Sequence, residues 1–307
     1  MTDQTGAVPR RVLITGAAGR IGSATTAFLT GKGISVTALS LAAPFPPEAD
    51  RTVIGDATSP ADVAAALDDA DAVVHLAAIP HPALDTPYNV YRTNVTATFN
   101  VLAEAGSRGV TRAVIASSIN ALGVPMNRHR IMPAYFPIDE DLPIDLEDAY
   151  SLSKFSDEVT STMAWRRWGI DVVAFRFPLV NGQQMLRKVA STWAADPTRA
   201  VREGWGYLDS RDAARAIYLA LTRPLSGAHV IGLSAADTLL DAPTAELLAE
   251  FAPGVPLRRP IAGMDSAIDT TRARDLLGFR AHHSIHDRHD ANHVEQFATE
   301  SGDPLDA

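Results

Sequence analysis

Thr15-Gly16-Ala17-Ala18-Gly19-Arg20-Ile21-Gly22 is the stretch that decides the fold, and it follows directly on the short apolar run 12–14. Apolar residues from Ile21 onward recur at helical spacing until Gly31 and Gly33 interrupt them. A strand, a glycine turn and a helix in this order present free backbone amides at a helix N-terminus, where a pyrophosphate can bind. The stretch therefore predicts a βα unit with a phosphate turn.

Strands and helices alternate through the residues that follow. Apolar runs predict strands at 35–39, 52–54, 72–76, 112–116 and 171–177, and helical patterns predict helices from Ser59, over 90–105 and over 149–168. This alternation predicts an α/β fold of the Rossmann type, which is a doubly wound parallel sheet with ligands beyond the carboxyl ends of its strands.

The residues after Pro178 follow a less regular pattern. We expect longer loops there, with helices at 210–221 and 244–251 and a strand at 229–231. This pattern divides the chain into a first domain of residues 1–177 and a small C-terminal lobe of residues 178–307, with interleaved elements and a flexible C-terminal tail.

Composition excludes several classes of partner. With 307 residues the chain can bury a large core, and its net charge of -9 argues against nucleic acid and anionic membranes as partners. There is no cysteine, so neither disulfides nor thiolate catalysis contribute, and the cytoplasm is the simplest compartment. The first apolar run is too short for a signal peptide or a membrane span.

Tyr150 and Lys154 form the second informative motif, in Tyr150-Ser151-Leu152-Ser153-Lys154. Four residues are about one helical turn, so the phenol and the ammonium project from the same helix face. An unperturbed tyrosine has a pKa of about 10, so it accepts a proton near neutral pH only if a nearby positive charge favours the phenolate. The motif predicts a proton-transfer pair, although an exposed helix pair is the alternative when it is taken alone.

These motifs occur with others in an order that resembles a known family. They are the glycine run Gly16-x-x-Gly19-x-x-Gly22, Gly55-Asp56-Ala57, His75-Leu76-Ala77-Ala78, Asn94, Ser117-Ser118, the pair Tyr150 and Lys154, and Tyr207-Leu208-Asp209-Ser210-Arg211-Asp212. Over about residues 10–280 the chain resembles the extended short-chain dehydrogenase/reductase family, also called the NAD-dependent epimerase/dehydratase family.

The resemblance implies an enzyme that uses NAD or NADP, which would bind to the first domain. It implies a catalytic set of Ser118, Tyr150 and Lys154, in which Ser118 stabilises charge on the reacting oxygen. A strand-end hydroxyl that caps the backbone remains the alternative for Ser118, and a turn residue the alternative for Asp56. The expected cofactor-binding residues are Gly16, Ala18, Gly19, Arg20, Ile21, Gly22, Ser40, Asp56, Ala57, Leu76, Ala77, Ala78, Asn94, Tyr150, Lys154, Phe177 and Pro178.

The end of the second strand departs from the pattern of NAD-specific proteins. An acid there commonly binds the adenosine ribose, but this chain has Ser40 followed by Leu41. No carboxylate would repel a 2'-phosphate, and Arg20 could contact that phosphate unless it is only a surface arginine. We therefore expect a mild preference for NADP.

Other departures concern the substrate. Sugar-nucleotide dehydratases of the family carry an acidic pair where this chain has Ile119-Asn120, and its nucleotide-sugar epimerases usually carry an asparagine at the position of Leu179. The run 188–193 resembles the uronate dehydrogenase branch, which implies that Arg187 or Lys188 holds a substrate carboxylate, with a surface basic pair as the alternative. The expected substrate-binding residues are Ile79, His81, Ser118, Asn120, Tyr150, Leu179, Arg187 and Lys188.

Three functions follow in order of preference. The first is an NAD(P)-dependent oxidoreductase acting on a small polar alcohol or carbonyl compound, such as a sugar or sugar acid. The second is a sugar or nucleotide-sugar epimerase with tightly held NAD. The third, of a different class, is a non-catalytic NAD(P)-sensing protein, which would not need both Tyr150 and Lys154.

Two further expectations concern metals and partners. His282 and His286, and His289 and His293, lie four apart, but without a fixed scaffold we expect a solvated segment and no metal in the mechanism. The family resemblance implies a homodimer that pairs the helices at 90–105 and 149–168. The proposed contacts are Val95, Phe99, Leu102, Leu152, Phe155 and Val159, and the alternative is that both helices are buried against their own sheet.

Overall fold

A seven-stranded parallel sheet forms the centre of the computed structural model, which describes residues 8–287. The strand order is β3-β2-β1-β4-β5-β6-β9, and β7 and β8 form a separate two-stranded parallel sheet. The strands are β1 (Arg11–Thr15), β2 (Ser35–Ser40), β3 (Arg51–Ile54), β4 (Ala72–His75), β5 (Arg112–Ser118), β6 (Asp171–Phe177), β7 (Leu179–Asn181), β8 (Tyr207–Asp209) and β9 (Ala228–Gly232).

Helices cover both faces of the large sheet. They are α1 (Arg20–Gly31), α2 (Pro60–Ala66), α3 (Pro87–Ser107), α4 (Ala149–Trp168), α5 (Gln183–Ala195), α6 (Ser210–Thr222), α7 (Thr244–Phe251) and α8 (Thr271–Leu277). One buried core joins the sheet to α1, α6 and α8, and a second core joins it to α2, α3 and α4. The predicted Rossmann-type α/β fold is confirmed.

The strand order places a crevice next to β1. The chain runs outward from β1 through β2 to β3 and then returns to β4 on the other side of β1. Ligands of open parallel sheets bind at such a switch point, beyond the carboxyl ends of the strands. Thr15 ends β1 and His75 ends β4, and the two residues are paired in the sheet.

Local signals explain where several helices begin and end. The Ser59 side chain caps α2 by accepting a hydrogen bond from the Asp62 amide. Asp148 caps α4 in the same way, and α4 ends at Gly169, which has a φ of 72°. Helix α3 begins three residues before the predicted start, because Thr86 caps it ahead of a proline at the first position.

The residues after Pro178 contain more regular structure than the sequence pattern indicates. The structure forms α5, α8 and the short strands β7 and β8 where loops are expected. Strand β9 pairs with β6, so the chain returns to the large sheet at its far edge. A separate buried core combines residues from 119–142 with residues from 200–268, and it includes Phe136 and Trp205. Segments far apart in sequence thus build the lobe.

The structure also bears on membranes. Within residues 8–287, no helix combines the length and the apolar character that crossing a membrane requires.

Candidate active site

The glycine turn after β1 packs directly against the end of β4. Gly16 has a φ of +66°, and a Cβ atom on it would lie 2.7 Å from the Ala77 nitrogen. A Cβ on Gly22 would lie 2.4 Å from the Gly16 carbonyl oxygen. Only glycine fits at these two positions, whereas a Cβ on Gly19 would meet nothing nearer than 3.2 Å.

The N-terminus of α1 faces outward and has no cap of its own. Gly19 precedes the helix, no side chain accepts a hydrogen bond from its first amides, and the first turn holds no acid. Ala18, Gly19 and Arg20 are exposed, and Ile21 is half-buried. The free amides and the positive end of the helix dipole fit an anionic group such as the pyrophosphate of a dinucleotide.

Ser40, at the end of β2, is hydrogen-bonded to the glycine turn. Its buried hydroxyl oxygen accepts a hydrogen bond of 3.0 Å from the Ala18 amide. Leu41 follows with 73% exposure, and no acid stands at this strand end. Asp56 is exposed, and its carboxylate accepts a bond from the Thr58 amide, while Ala57 is buried. The surroundings of Asp56 are those of a turn residue that keeps one oxygen available.

Asn94 ties the loop after β4 to the catalytic helix. Its side-chain oxygen accepts from the Ile79 amide, and its amide donates both to the Ile79 carbonyl and to the Ser153 hydroxyl. Ser153 in turn donates to the Tyr150 carbonyl at 2.7 Å. Asn94 is buried, and through these hydrogen bonds it connects the half-buried segment 76–79 to α4. This segment consists of Leu76, Ala77, Ala78 and Ile79.

His75 is completely buried beneath this segment. Its Nδ1 atom lies 2.7 Å from the Thr15 hydroxyl, and its Nε2 atom lies 3.1 Å from the Thr98 hydroxyl. Burial, with a smaller contribution from the nearby Lys154 charge, lowers the pKa of His75 to about 3. The imidazole is therefore neutral at physiological pH.

The three predicted catalytic residues converge where β5 ends beside α4. Lys154 Nζ lies 6.0 Å from the centre of the Tyr150 ring and donates a 2.8 Å bond to the Ala116 carbonyl. Ser118, the last residue of β5, accepts bonds from the backbone amide and the side-chain amide of Asn120. Because its oxygen accepts both bonds, the Ser118 hydroxyl hydrogen remains free to be donated. All three predicted catalytic residues are buried to 6% exposure or less.

Asn120 positions Ser118 and carries an unpaired polar atom of its own. It holds Ser118, yet its own buried side-chain oxygen has no hydrogen-bond partner among residues 8–287. Buried polar atoms are nearly always paired in native proteins. An unpaired amide oxygen two residues from Ser118 is thus available to a substrate hydroxyl. The neighbouring Phe177 and Pro178 are buried at the end of β6, and Leu179 is half-buried.

Sequence reasoning missed a buried ion pair behind the catalytic set. Glu158 accepts a 2.7 Å bond from Ser117 and two bonds of 2.9 Å from the Arg176 guanidinium. Arg176 also donates to the Glu140 carbonyl, which connects the sheet to the lobe. The available signal was the position of Glu158, one turn beyond Lys154 on the same helix face.

A cavity of about 170 Å³ opens at the N-terminus of α4, where Asp148 and Ala149 line it. His81 adjoins this rim, where burial lowers its pKa and Asp148 opposes that shift. The His81 ring accepts a bond from the Ala83 amide, so it also shapes its own loop. None of the lining residues was predicted from the sequence, and they are Pro82, Pro87, Met126, Arg128, Glu147, Asp148 and Ala149.

Arg187 and Lys188 are placed apart from the buried set. Both are exposed on α5. Arg187 donates to the Gln183 side chain and to the Asp287 carbonyl. No contact joins either cation to Ser118 or Tyr150 within the described part of the chain.

The described part of the histidine-rich segment does not form a helix. Residues 281–287 are not helical, and the His286 ring contacts the Thr238 carbonyl. His282 and His283 are anchored by backbone bonds to Asp212, while His289 and His293 lie outside the described residues. Between residues 8 and 287 no cluster of three or more acidic or histidine side chains could hold a metal ion.

Comparison with known proteins shows which family the chain resembles. The family model for the NAD dependent epimerase/dehydratase family matches residues 12–232. A UDP-glucose 4-epimerase of Azospirillum brasilense is 33% identical over 191 residues, covering 59% of this chain and 52% of that protein. A uronate dehydrogenase of Pseudomonas putida is 27% identical over 189 residues, covering 60% of this chain and 66% of that protein. The chain thus spans between half and two thirds of these relatives.

Solved structures share the fold over most of the chain. A short-chain dehydrogenase/reductase superfamily protein from Agrobacterium tumefaciens with bound NAD has a TM-score of 0.68 and 24% identity, covering 90% of this chain and 93% of that one. MoeE5 in complex with UDP-glucuronic acid and NAD has a TM-score of 0.66 and 24% identity, covering 90% and 95%. These structures show the shared fold, and the family match over residues 12–232 shows that the chain belongs to the NAD-dependent epimerase/dehydratase family.

Proposed function

We propose that the chain is an NAD(P)-dependent oxidoreductase that transfers hydride between the nicotinamide cofactor and a small polar alcohol or carbonyl compound of the sugar or sugar-acid class. One observation carries this proposal. Ser118, Tyr150 and Lys154 converge at the end of β5, while the glycine turn offers an uncapped helix N-terminus at the end of β1. A proton-transfer site and an anion site thus lie along the same edge of one sheet.

Each residue of the set has a distinct task. The nicotinamide, when bound, supplies the hydride acceptor or donor. Tyr150 takes the proton from the substrate hydroxyl in the oxidative direction and returns it in reduction. Ser118 donates its free hydroxyl hydrogen to the reacting oxygen and stabilises the charge that develops there. Lys154 supplies positive charge next to the phenol, held in place by the Ala116 carbonyl.

The substrate proposal rests on the rim of the site. The cavity at the N-terminus of α4 is lined by three charged residues, Arg128, Glu147 and Asp148, together with apolar side chains, and it can hold a small compound. Asn120 adds an unpaired acceptor. We propose that Lys188 contacts a substrate carboxylate; Arg187, which already donates to Gln183 and to the Asp287 carbonyl, is the alternative.

The reaction is tested with a substrate panel followed at the nicotinamide absorbance. Free uronic acids, simple sugars and small ketones are offered with NAD, NADP or their reduced forms. We expect a net change in absorbance with at least one sugar acid.

The Azospirillum relative favours an epimerase as the second candidate function. Interconversion of a UDP-sugar without net absorbance change would select the epimerase. Tight cofactor binding without turnover of any compound in either assay would select the binding protein.

Cofactor preference is a separate proposal. Ser40 and Leu41 present no negative charge to a 2'-phosphate, and Arg20 is exposed at the first helical position with no side-chain partner within residues 8–287. We propose that NADP binds at least as tightly as NAD. Calorimetric titration of both cofactors, repeated with Arg20→Ala, tests this. Clearly tighter binding of NAD that Arg20→Ala leaves unchanged would reject the preference.

A homodimer through α3 and α4 is also proposed. Phe99, Leu152 and Val159 are 49%, 41% and 56% exposed, which is unusual for side chains of this size. Leu102 does not belong to this surface, because it is fully buried in the core between α3 and the sheet. Light scattering at micromolar concentration should give the dimer mass, and a monomer mass throughout would reject this assembly. The cytoplasmic location and the boundary at residues 177 and 178 stay predictions of the sequence.

A further inference from the structure

A buried carboxylate lies directly beside the catalytic lysine. Asp157 has 1% exposure, and its Oδ2 atom lies 3.3 Å from Lys154 Nζ. The same ammonium donates to the Ala116 carbonyl, so two acceptors fix its position from the side of the sheet and from the helix. The other carboxylate oxygen, Oδ1, is buried and has no hydrogen-bond partner among the described residues.

A directional chain of hydrogen bonds leads from the glycine turn toward this carboxylate. The Thr15 hydroxyl oxygen accepts from the amides of Leu76 and Ala77, so its single hydrogen is donated to His75 Nδ1. Neutral His75 has a single ring N–H. Because Nδ1 accepts from Thr15, this N–H is on Nε2 and is donated to the Thr98 hydroxyl. The Thr98 hydrogen is then free for Asp157, and the Thr98 hydroxyl lowers the pKa of that carboxyl.

In this direction the Thr15 hydroxyl and the His75 ring N–H both donate toward α4. The Thr98 hydroxyl favours the ionised form of Asp157, which can only accept, and the Oδ1 atom of this carboxylate has no hydrogen-bond partner of its own among residues 8–287.

The charges around Asp157 are few and come from three elements. Burial raises the pKa of Asp157, while the Lys154 charge and the Thr98 hydroxyl lower it and Glu158 raises it. Glu158 is itself compensated by Arg176 on β6, and His75 on β4 is neutral. Lys154 is thus the one charged group in contact with Asp157 among the described residues.

We propose that Asp157 is a positioning residue for the active site: it holds the Lys154 ammonium against the Ala116 carbonyl and places a counter-charge that sets the pH range in which Tyr150 works. This inference rests on the proposed function. Asp157 lies two helical turns from Tyr150, about 10 Å along the axis. At that distance inside a protein, removing one negative charge favours the phenolate by roughly one pH unit.

The first test is Asp157→Asn, which keeps the shape and an acceptor oxygen but removes the charge. We expect the midpoint of the pH–activity profile to move toward lower pH by about one unit, with little change in KM. Asp157→Glu should restore most of the original profile. Asp212→Asn is the matched control, because Asp212 is also fully buried in a helix but lies on α6. The midpoint of the pH–activity profile of Asp212→Asn should equal that of the wild type.

A second readout does not depend on turnover. The near-ultraviolet absorbance difference between the protein and its Tyr150→Phe variant reports the Tyr150 phenolate directly. In the Asp157→Asn background, this phenolate absorbance should appear about one pH unit lower than in the wild type. If no substrate is turned over, the proposed function fails while this titration still tests Asp157. If Asp157→Asn does not fold, Thr98→Val should shift the titration in the same direction, but less. An unchanged midpoint in the folded variants would overturn the proposal.

Discussion

The buried edge where β5 meets α4 differs sharply from the exposed face of α5. At the first, Lys154, Glu158 and Arg176 are each at most 7% exposed and each has a polar partner within 3.3 Å. At the second, Arg187 and Lys188 are exposed to solvent. Buried polar groups must be mutually satisfied, whereas exposed cations are compatible with many surroundings. A motif of buried residues is therefore informative in a single sequence, and a pair of exposed cations is not.

The largest effect should come from the proton-transfer residue of the buried edge. Tyr150→Phe removes the group that exchanges the proton but leaves the glycine turn intact. We expect turnover to fall by roughly 10^2- to 10^4-fold while dinucleotide affinity stays nearly the same. Steady-state rates on an identified substrate and calorimetric titration of the cofactor measure the two effects. Wild-type turnover by this variant would remove the proton-transfer role from Tyr150.

The ion pair behind the site should control stability. Glu158→Gln leaves the Arg176 guanidinium buried without its charge partner, so we expect the free energy of unfolding to fall by about 3–5 kcal/mol. Urea denaturation measures this loss. The matched control is Glu104→Gln on α3, where the partly exposed pair with Arg108 should contribute less than about 1 kcal/mol. Equal losses in the two variants would contradict the contrast between buried and exposed pairs.

A pH effect should follow from neutral His75. Its pKa is about 3 in the folded state against about 6.5 when unfolded, so its contribution to stability is complete above pH 6.5 and is lost progressively as the pH falls toward 3. Between about pH 7.5 and pH 5, this residue should account for a loss of about 2 kcal/mol.

His75→Gln should reduce that pH dependence by the same amount, as measured by urea denaturation at both pH values. His129→Gln is the control, because the His129 side chain is 70% exposed and should leave the dependence unchanged. A variant at His75 with the full acid loss of the wild type would show that other groups cause it.

Substitutions of the exposed cations on α5 should have the smallest effect on stability, and they test whether these cations bind substrate. Lys188→Ala should change the free energy of unfolding by less than about 0.5 kcal/mol. If Lys188 holds a substrate carboxylate, KM for a uronic acid should rise by about tenfold or more, with no such rise for a neutral sugar. Arg187→Ala serves for comparison, since Arg187 already bonds within the lobe. Unchanged KM in both variants would leave the two residues as a surface pair.

Features that depend on interactions within a few residues were predicted from the sequence more accurately than features that depend on contacts between distant segments. Helix α4 was predicted with its observed limits because an acidic cap and a terminal glycine act within one turn of its ends. Strands β7 and β8 were missed because each has three residues, too few for a period-two pattern, and each is stabilised by the other. Helix α5 has 13 residues, and its basic pair was singled out from the sequence without a helix being assigned to it.

By itself, the sequence determined the βα phosphate turn, the parallel sheet and the pair of Tyr150 and Lys154, because glycine sterics and helical spacing are local properties. Only the tertiary structure brought Asp157, Thr98 and His75 into one buried chain, since these residues come from α4, α3 and β4. The same is true of the lobe core, in which residues from 119–142 pack with residues from 200–268. Contacts between distant segments depend on how whole elements pack, and no local pattern encodes them.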